Sequence, residues 1–264
     1  MTREHFYGAR ANTDTHLRVT SIFLTVDGET NAFHTGTWST FIRLQGCRVG
    51  CKWCDTKYTW PVDKLGTMMR PSEIADQVKL VSGGSRKVTI TGGEPMEQWG
   101  QALSQLLLHL YEQDYDVSME TAGCDDLEPL LRVHPSVNLI VDYKMESAGQ
   151  VRRTHLPSFR KLRYHDVVKF VCTEAELEDV RDAVLGLREE GCAARMVFSP
   201  VFPTEVLSVK TDTQLAAFIA EAKRVGLPAL QCGLNLQQHK FIWPFTVRDE
   251  EESGETRNTP VGGL

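Results

Sequence analysis

The sequence has no apolar run approaching the roughly 20 residues that a membrane-spanning helix needs. Its opening residues, Met1-Thr-Arg-Glu-His-Phe6, also lack the apolar stretch of a secretory signal. There is no cationic excess: 29 Lys and Arg stand against 35 Asp and Glu, a net charge of −6. That balance argues against a chain built to coat a nucleic-acid backbone or an anionic membrane. No internal repeat and no long Gly-, Ser- or Pro-rich linker divides the chain. With seven cysteines it also lacks the even set expected of a disulfide framework. What remains is a chain of 264 residues, 41% apolar, long enough to bury a core without covalent staples. These features predict a cytoplasmic protein whose thiols are free to act as metal ligands, catalytic groups or small core residues.

The cysteines are unevenly placed. Cys47, Cys51 and Cys54 fall within eight residues, whereas Cys124, Cys172, Cys192 and Cys232 are scattered singly. Cys172 and Cys192 lie among apolar residues and read as buried small hydrophobes.

Around the cluster the pattern alternates between short apolar runs and helical stripes. Strands are predicted at 20–26, 40–45, 87–91, 115–119, 137–141, 167–172 and 195–198. Most of these runs are apolar throughout, as strands of a parallel sheet covered on both faces should be. Helices are predicted near 72–82, with Ile74, Val78 and Val81 on one face, and near 99–112, with Leu103, Leu106, Leu107 and Leu110. Thr173-Glu-Ala-Glu176 and Thr211-Asp-Thr-Gln214 read as capping boxes opening two later helices. The sum is one α/β domain over 1–247, with an N-terminal extension at 1–19 and an acidic, mobile tail at 248–264. About six βα units follow an initial strand. Because eight units would usually need the whole chain, a partial barrel is favoured over a closed one, although periodicity alone leaves a doubly wound sheet open.

Gly46-Cys-Arg-Val-Gly-Cys-Lys-Trp-Cys-Asp-Thr56 gives the spacing Cys-x3-Cys-x2-Cys, with glycines that permit a tight wrap. Three thiolates leave one metal position open, which suits a [4Fe–4S] cluster whose fourth iron binds a small molecule. The competing reading is a structural zinc site completed by Cys124 or His134. Thr91-Gly-Gly-Glu-Pro95 follows the next strand; taken alone, it is a turn into a helix with an acid near the helix N-terminus.

Together these motifs resemble the radical S-adenosylmethionine (SAM) superfamily, with Trp53 as the aromatic residue before the last cysteine. The resemblance extends from Ser21 to about Trp243 and narrows to the 7-carboxy-7-deazaguanine synthase family. It is carried also by Ser21-Ile-Phe-Leu-Thr-Val-Asp-Gly-Glu29, Arg43-Leu-Gln-Gly-Cys47, Cys54-Asp-Thr56, Glu120-Thr-Ala-Gly123 and Leu236-Gln-Gln-His-Lys240. Three departures stand out: Asp27 where the family has glutamine, Thr30 in place of its second glycine, and Asp142-Tyr-Lys144 where Ser-Pro-Lys is usual.

The resemblance implies a partial (β/α)6-type TIM-like barrel and an enzyme, a lyase that contracts the ring of 6-carboxy-5,6,7,8-tetrahydropterin to 7-carboxy-7-deazaguanine with loss of ammonia. It implies that Cys47, Cys51 and Cys54 hold the cluster. Trp53, Gly92, Gly93, Glu94, Glu120, Asp142, Tyr143, Lys144 and Ser199 would bind SAM, the glycines letting the backbone approach its methionyl group and Glu94 meeting its ammonium. Val26, Asp27, Gly28, Glu29, Arg43, Thr91 and His239 would surround the pterin, with Arg43 and Glu29 closest to the chemistry, and Thr56 would ligate Mg2+. A flavodoxin- or ferredoxin-type electron donor and a homodimer are the partners implied. Plainer readings exist for single residues: Arg43 as a surface strand residue, Asp55 and Thr56 as turn caps, and His239-Lys240 as a solvated strand end. A glycyl-radical-enzyme activating protein and a non-catalytic zinc-binding interaction module are the rival functions, and no second cysteine cluster supports the former.

Overall fold

In a computed structural model of the chain, the residues described are 15–62, 66–150, 154–201 and 210–238. The strands are β1 (Leu17–Asp27), β2 (Thr37–Leu44), β3 (Thr67–Met69), β4 (Lys87–Gly92), β5 (Asp116–Thr121), β6 (Asn138–Lys144), β7 (Val167–Cys172), β8 (Arg195–Pro200) and β9 (Gly233–Leu234). The helices are α1 (Pro71–Val81), α2 (Gln101–Glu112), α3 (Glu128–Val133), α4 (Leu156–Phe159), α5 (Leu177–Glu189) and α6 (Lys210–Arg224). They form one sheet in the order β3-β1-β2-β4-β5-β6-β7-β8-β9. From β2 onward along this order every neighbouring pair is parallel, while β1 is antiparallel to both β2 and β3. The order has two free ends, so the sheet is an open, partial barrel of six full parallel strands plus the short β9.

Side chains alternate across each strand, and the alternation divides the protein in two. Ile42 and Leu44 of β2, Val88 and Ile90 of β4, Val117 and Met119 of β5, Leu139 and Val141 of β6, and Val168, Phe170 and Cys172 of β7 face the helices. There they join the stripes of α1, α2 and α5 in the main apolar core. The opposite, inner face carries Arg43, Thr91, Glu120, Asp142, Lys144, Lys169 and Ser199. In register, Arg43 lies opposite Thr91, Glu120 opposite Ile140, and Asp142 opposite Lys169. Polar and charged groups therefore line the concave side of a sheet whose convex side is sealed by helices.

The segment between β1 and β2 crosses this concavity. Ala32 N donates to Asn138 Oδ1 at 3.0 Å, and Thr30 donates to Asn235 Oδ1 from its amide at 2.9 Å and its hydroxyl at 2.8 Å. Asn235 N in turn donates to Phe198 O at 2.8 Å. The loop thus ties the first strand to the last across the gap that an incomplete barrel leaves.

The predicted elements correspond closely, with β7 matching at both ends. β1 starts at Leu17, and Leu17 and Val19 are buried, so residues 17–19, assigned to the N-terminal extension, belong to the sheet. The Thr173–Glu176 capping box is present and leads through a 3-10 turn into α5. α6 begins at Lys210, so Thr211 lies within the helix rather than at its cap. Cys172, Cys192 and Cys232 are buried, as expected of small core residues. The segment 248–264 and His239 lie outside the described residues.

Candidate active site

The cysteine loop leaves β2 and is clamped onto the strand ends beside it. Gly46 has φ +107° and Gly50 φ +72°, backbone that other residues rarely adopt. Gly93 N donates to Leu44 O at 2.7 Å and Glu94 N to Gly46 O at 2.8 Å, and a Cβ on Gly92 or Gly93 would collide with the backbone of Leu44 or Gly46. These two glycines are therefore required where the Gly-Gly-Glu-Pro turn meets the cysteine loop. Arg48 extends the clamp by an ion pair with Glu97, and Lys52 N donates to Ala148 O at 2.8 Å.

Glu94 ties the neighbouring strands together: its carboxylate accepts from Met96 N at 3.0 Å, Thr121 Oγ1 at 2.7 Å and Ala122 N at 2.6 Å, which joins β4 to β5. Burial pushes this carboxyl up to about 7, against the three donors, which favour its anion.

Cys51 is buried with Val49, Ala122 and Cys124, and Cys47, Trp53 and Cys54 pack against them. Burial, reinforced by the Glu94 carboxylate, pushes the Cys47 thiol up to about 12, and burial raises Cys51 as well. Protons thus stay on the free thiols until a metal replaces them. Trp60 Nε1 donates to Cys54 Sγ at 3.3 Å, and the Val49 amide bonds Cys47, N–H···S contacts of the kind that tune iron–sulfur ligands. Among the described residues, no three His, Cys, Asp or Glu side chains are gathered closely enough for one metal ion. A [4Fe–4S] cluster held by three cysteines gives each its own iron and leaves one iron open. His134 is bonded to Ser104, edge-on to Trp99 and tilted against Tyr111, all partners outside the cysteine loop. The donor set fits a cluster.

From the loop inward runs a file of charges. The Lys144 Nζ lies 5.3 Å above the Trp53 ring and 2.5 Å from Asp142 Oδ2. Lys169 Nζ stands 3.3 Å from Asp142 Oδ1 and 3.3 Å from Glu29 Oε1. Burial alone would favour the neutral Asp142 acid, but the Lys144 and Lys169 ammoniums hold its carboxyl below the usual range. Burial pushes Glu120 up to about 8; Lys169 works against this and the carboxylates of Glu29, Asp27 and Asp142 add to it. Thr91 Oγ1 donates to Glu120 Oε2 at 3.3 Å, and the Arg43 guanidinium lies 5.5 Å from the Phe23 ring centroid. The Trp53 Nε1 and Ser199 Oγ atoms are buried without hydrogen-bond partners within the protein.

Asp27 is wholly buried and occupied within the protein. It accepts from Thr89 Oγ1 at 2.9 Å, Asn31 Nδ2 at 3.3 Å and Glu29 N at 3.1 Å, and pairs with Lys87 Nζ at 3.0 Å. Glu29 accepts from Asn235 Nδ2 at 2.7 Å and Gln237 Nε2 at 3.0 Å. Thr56 Oγ1 is 3.5 Å from Cys54 Sγ, at the edge of the cysteine loop.

Two residues of the expected site turn their side chains out of the concavity. Tyr143 alternates with Asp142 and Lys144, and its ring packs 5.7 Å from Phe159 and 5.1 Å from Phe170 in the helix-facing core. Val26 has the parity of Ile22, which packs on that same core, and so turns away from Asp27. Lys169 was not anticipated, although a lysine inside the all-buried run Val167-Val-Lys-Phe-Val-Cys172 is a readable signal of a buried charge network.

The sequence profile of the radical SAM superfamily matches residues 41–208, and the chain belongs to that superfamily. Within it, the chain is 33% identical to the 7-carboxy-7-deazaguanine synthase of Koribacter versatilis, over 86% of this chain and 97% of the relative. It is 30% identical to the enzyme of that name from Clostridium acetobutylicum, over 86% and 96%. It is therefore a member of the 7-carboxy-7-deazaguanine synthase family, a radical SAM lyase of deazapurine biosynthesis that works with a [4Fe–4S] cluster and SAM. The crystal structure of QueE from Escherichia coli shares the fold, with a TM-score of 0.62 at 21% identity, over 84% of this chain and 93% of that one. Among the described residues no helix is long and apolar enough to cross a membrane.

Proposed function

We propose that the chain converts 6-carboxy-5,6,7,8-tetrahydropterin to 7-carboxy-7-deazaguanine, and that its concave face is the site. The observation that supports this best is the placement of the three-cysteine loop at the end of the same strands whose inner face presents Arg43, Thr91, Glu120, Asp142 and Lys144. When bound, the cluster and SAM supply the hydrogen-abstracting radical that opens the reaction. The protein's part is to orient the substrate and keep water out, which helix-covered strands and a crossing loop are suited to do.

In this reading Cys47, Cys51 and Cys54 hold the cluster, and the cationic Lys144, the unpartnered Trp53 Nε1 and Ser199 Oγ, and Glu120 hold SAM. Arg43 pairs with the substrate carboxylate, since a guanidinium meets a carboxylate bidentately. Glu29 accepts N–H donors from the pterin's guanidine-like edge, with Thr91 and the Gly28 backbone nearby. Asp27 shapes the loop that carries Glu29. His239 keeps its substrate role from the family resemblance, and Thr56 binds Mg2+, whose preference for hard oxygen ligands a hydroxyl and a substrate carboxylate satisfy. A flavodoxin- or ferredoxin-type donor delivers the electron, the working unit is a cytoplasmic homodimer, and residues 1–247 act as one catalytic domain.

The test is anaerobic reconstitution with iron and sulfide, then incubation with SAM, dithionite and the carboxypterin. Formation of the deazaguanine, identified by mass, is expected. Uncoupled SAM cleavage with the pterin recovered intact would overturn the substrate assignment.

A further inference from the structure

Trp60 ends a short turn that leaves the cysteine loop and is tied back to it. Lys57–Thr59 form one 3-10 turn, and Trp60 N donates to Lys57 O at 3.0 Å. Gly46 N donates to Thr59 O at 2.7 Å and Cys47 N to Trp60 O at 3.2 Å, so the turn lies along the first residues of the cysteine loop. The wholly buried Gln45, just before Gly46, donates through Nε2 to Tyr58 O and to Pro61 O, on either side of Trp60. Thr59 Oγ1 closes the turn on Thr56 O at 2.7 Å. These anchors hold an indole whose Nε1 donates to Cys54 Sγ at 3.3 Å.

The Thr56 hydroxyl stands 3.5 Å from the same sulfur. The other two cysteines meet full charges instead: the Glu94 carboxylate acts on Cys47, and the Lys144 ammonium, opposed by Asp142 and Glu94, acts on Cys51. Cys54 is thus the cysteine that receives a side-chain N–H, from a residue six positions past it and outside the three-cysteine motif.

We propose that Trp60 acts through Cys54 to raise the reduction potential of the iron–sulfur cluster: its fixed indole N–H stabilises the reduced form and so widens the range of electron donors that can reduce it. This rests on the reading of Cys54 as a cluster ligand. A metal-bound cysteine is a thiolate, which accepts a hydrogen bond more strongly than a thiol does. Reduction adds one negative charge to the centre, and an N–H dipole aimed at a ligand sulfur stabilises the more negative state more. Because the turn already holds the donor in place, no reorganisation is needed when the electron arrives.

The experiment reconstitutes wild type, W60F and a Trp60→benzothienylalanine variant anaerobically with iron and sulfide, without SAM. Each is titrated potentiometrically by the EPR signal of the reduced cluster. Benzothienylalanine keeps the shape of tryptophan and has a sulfur in place of the N–H. Glu94, Lys144 and Asp142 are the same in all three proteins, so the difference isolates the hydrogen bond. Both variants should load iron as wild type does. Their equilibrium constant for reduction should fall about tenfold, a shift of roughly 59 mV to lower potential for one electron.

An unchanged or raised potential in the loaded benzothienylalanine variant, whatever W60F shows, would overturn the role of Trp60, because shape and not the N–H would then be at work. If W60F loses its cluster, the benzothienylalanine variant decides. Loss of the cluster in both would make Trp60 a strut of the loop and overturn the proposal as well. A cluster retained in full by Cys54→Ala would overturn the ligand reading, and the role of Trp60 with it.

Discussion

A Cβ at position 93 would fall on the carbonyl oxygen of Gly46, far inside van der Waals contact. The Gly-Gly-Glu-Pro turn and the cysteine loop are thus built as one piece, and a methyl group at this junction must push them apart. Gly93→Ala should destabilise the protein by about 1–3 kcal/mol, the range for an overpacked interior, and reduce iron loading. Gly186, within α5, has nothing within 4 Å of its Cβ position. Gly186→Ala should instead stabilise by about 0.5–1 kcal/mol, through helix propensity. Denaturant unfolding of both variants checks the pair, and a neutral Gly93→Ala would show that the two loops are not interlocked.

The cluster prediction turns on which thiols are needed. Single Cys47→Ala, Cys51→Ala and Cys54→Ala changes should each abolish iron loading. Cys124→Ala should keep it, because the spacing gives three ligands and a fourth thiolate would fill the open iron. Cys192→Ala, in the helix-facing core, should leave the visible spectrum unaltered. If Cys124→Ala bleached the cluster as fully as Cys51→Ala, the open-site arrangement would be wrong. Loading should also release protons, since burial keeps the free Cys47 and Cys51 thiols protonated.

Much of this site was legible from spacing. The cysteine loop, the Gly-Gly-Glu-Pro turn and the alternation of strands and helices survive translation into structure because each is a local pattern. The side chains of Tyr143 and Val26 turn out of the concavity because the pleat sends neighbours in a contiguous motif to opposite faces, which a motif read as a string does not show. Lys169 was missed for the converse reason. Its partners Glu29 and Asp142 are remote in sequence, and an apolar run of strand residues draws attention away from the one charge inside it. α3 and α4 are too short to show a helical period.

The raised carboxyls give a pH signature to the metal-free protein. Glu94 is pushed up to about 7 and Glu120 to about 8, in each case by burial first. A carboxyl that binds its proton more tightly when folded adds stability below the unfolded value near 4.5, and that contribution is lost as pH rises through the folded value. Stability should therefore fall between about pH 5 and 8, by several kcal/mol at about 1.4 kcal/mol for each unit of raised proton affinity. Glu120→Gln, which keeps a neutral hydrogen-bonding group against Thr91, should flatten the slope. Urea midpoints across this range measure it, and an unchanged slope in the variant would remove Glu120 from the account.

The final prediction separates Asp27 from Glu29 and both from the C-terminal segment. Asp27 is wholly enclosed and paired with the buried Lys87, so Asp27→Asn leaves a buried ammonium without its counter-charge and should cost stability, by about 3–5 kcal/mol. Asn235, Gln237 and Lys169 are among the groups that hold Glu29, and each of them favours its anion, the form that accepts N–H donors. Glu29→Ala should therefore weaken substrate binding by about 1.5–3 kcal/mol, tenfold or more in KM, with a smaller effect on folding. Deleting residues 248–264, five of whose seventeen are acidic, should leave KM nearly unchanged, because the carboxylate that recognises the substrate is already supplied from the loop after β1. Truncation that raises KM while Glu29→Ala is tolerated would reverse the assignment and place the recognising carboxylate in the C-terminal segment.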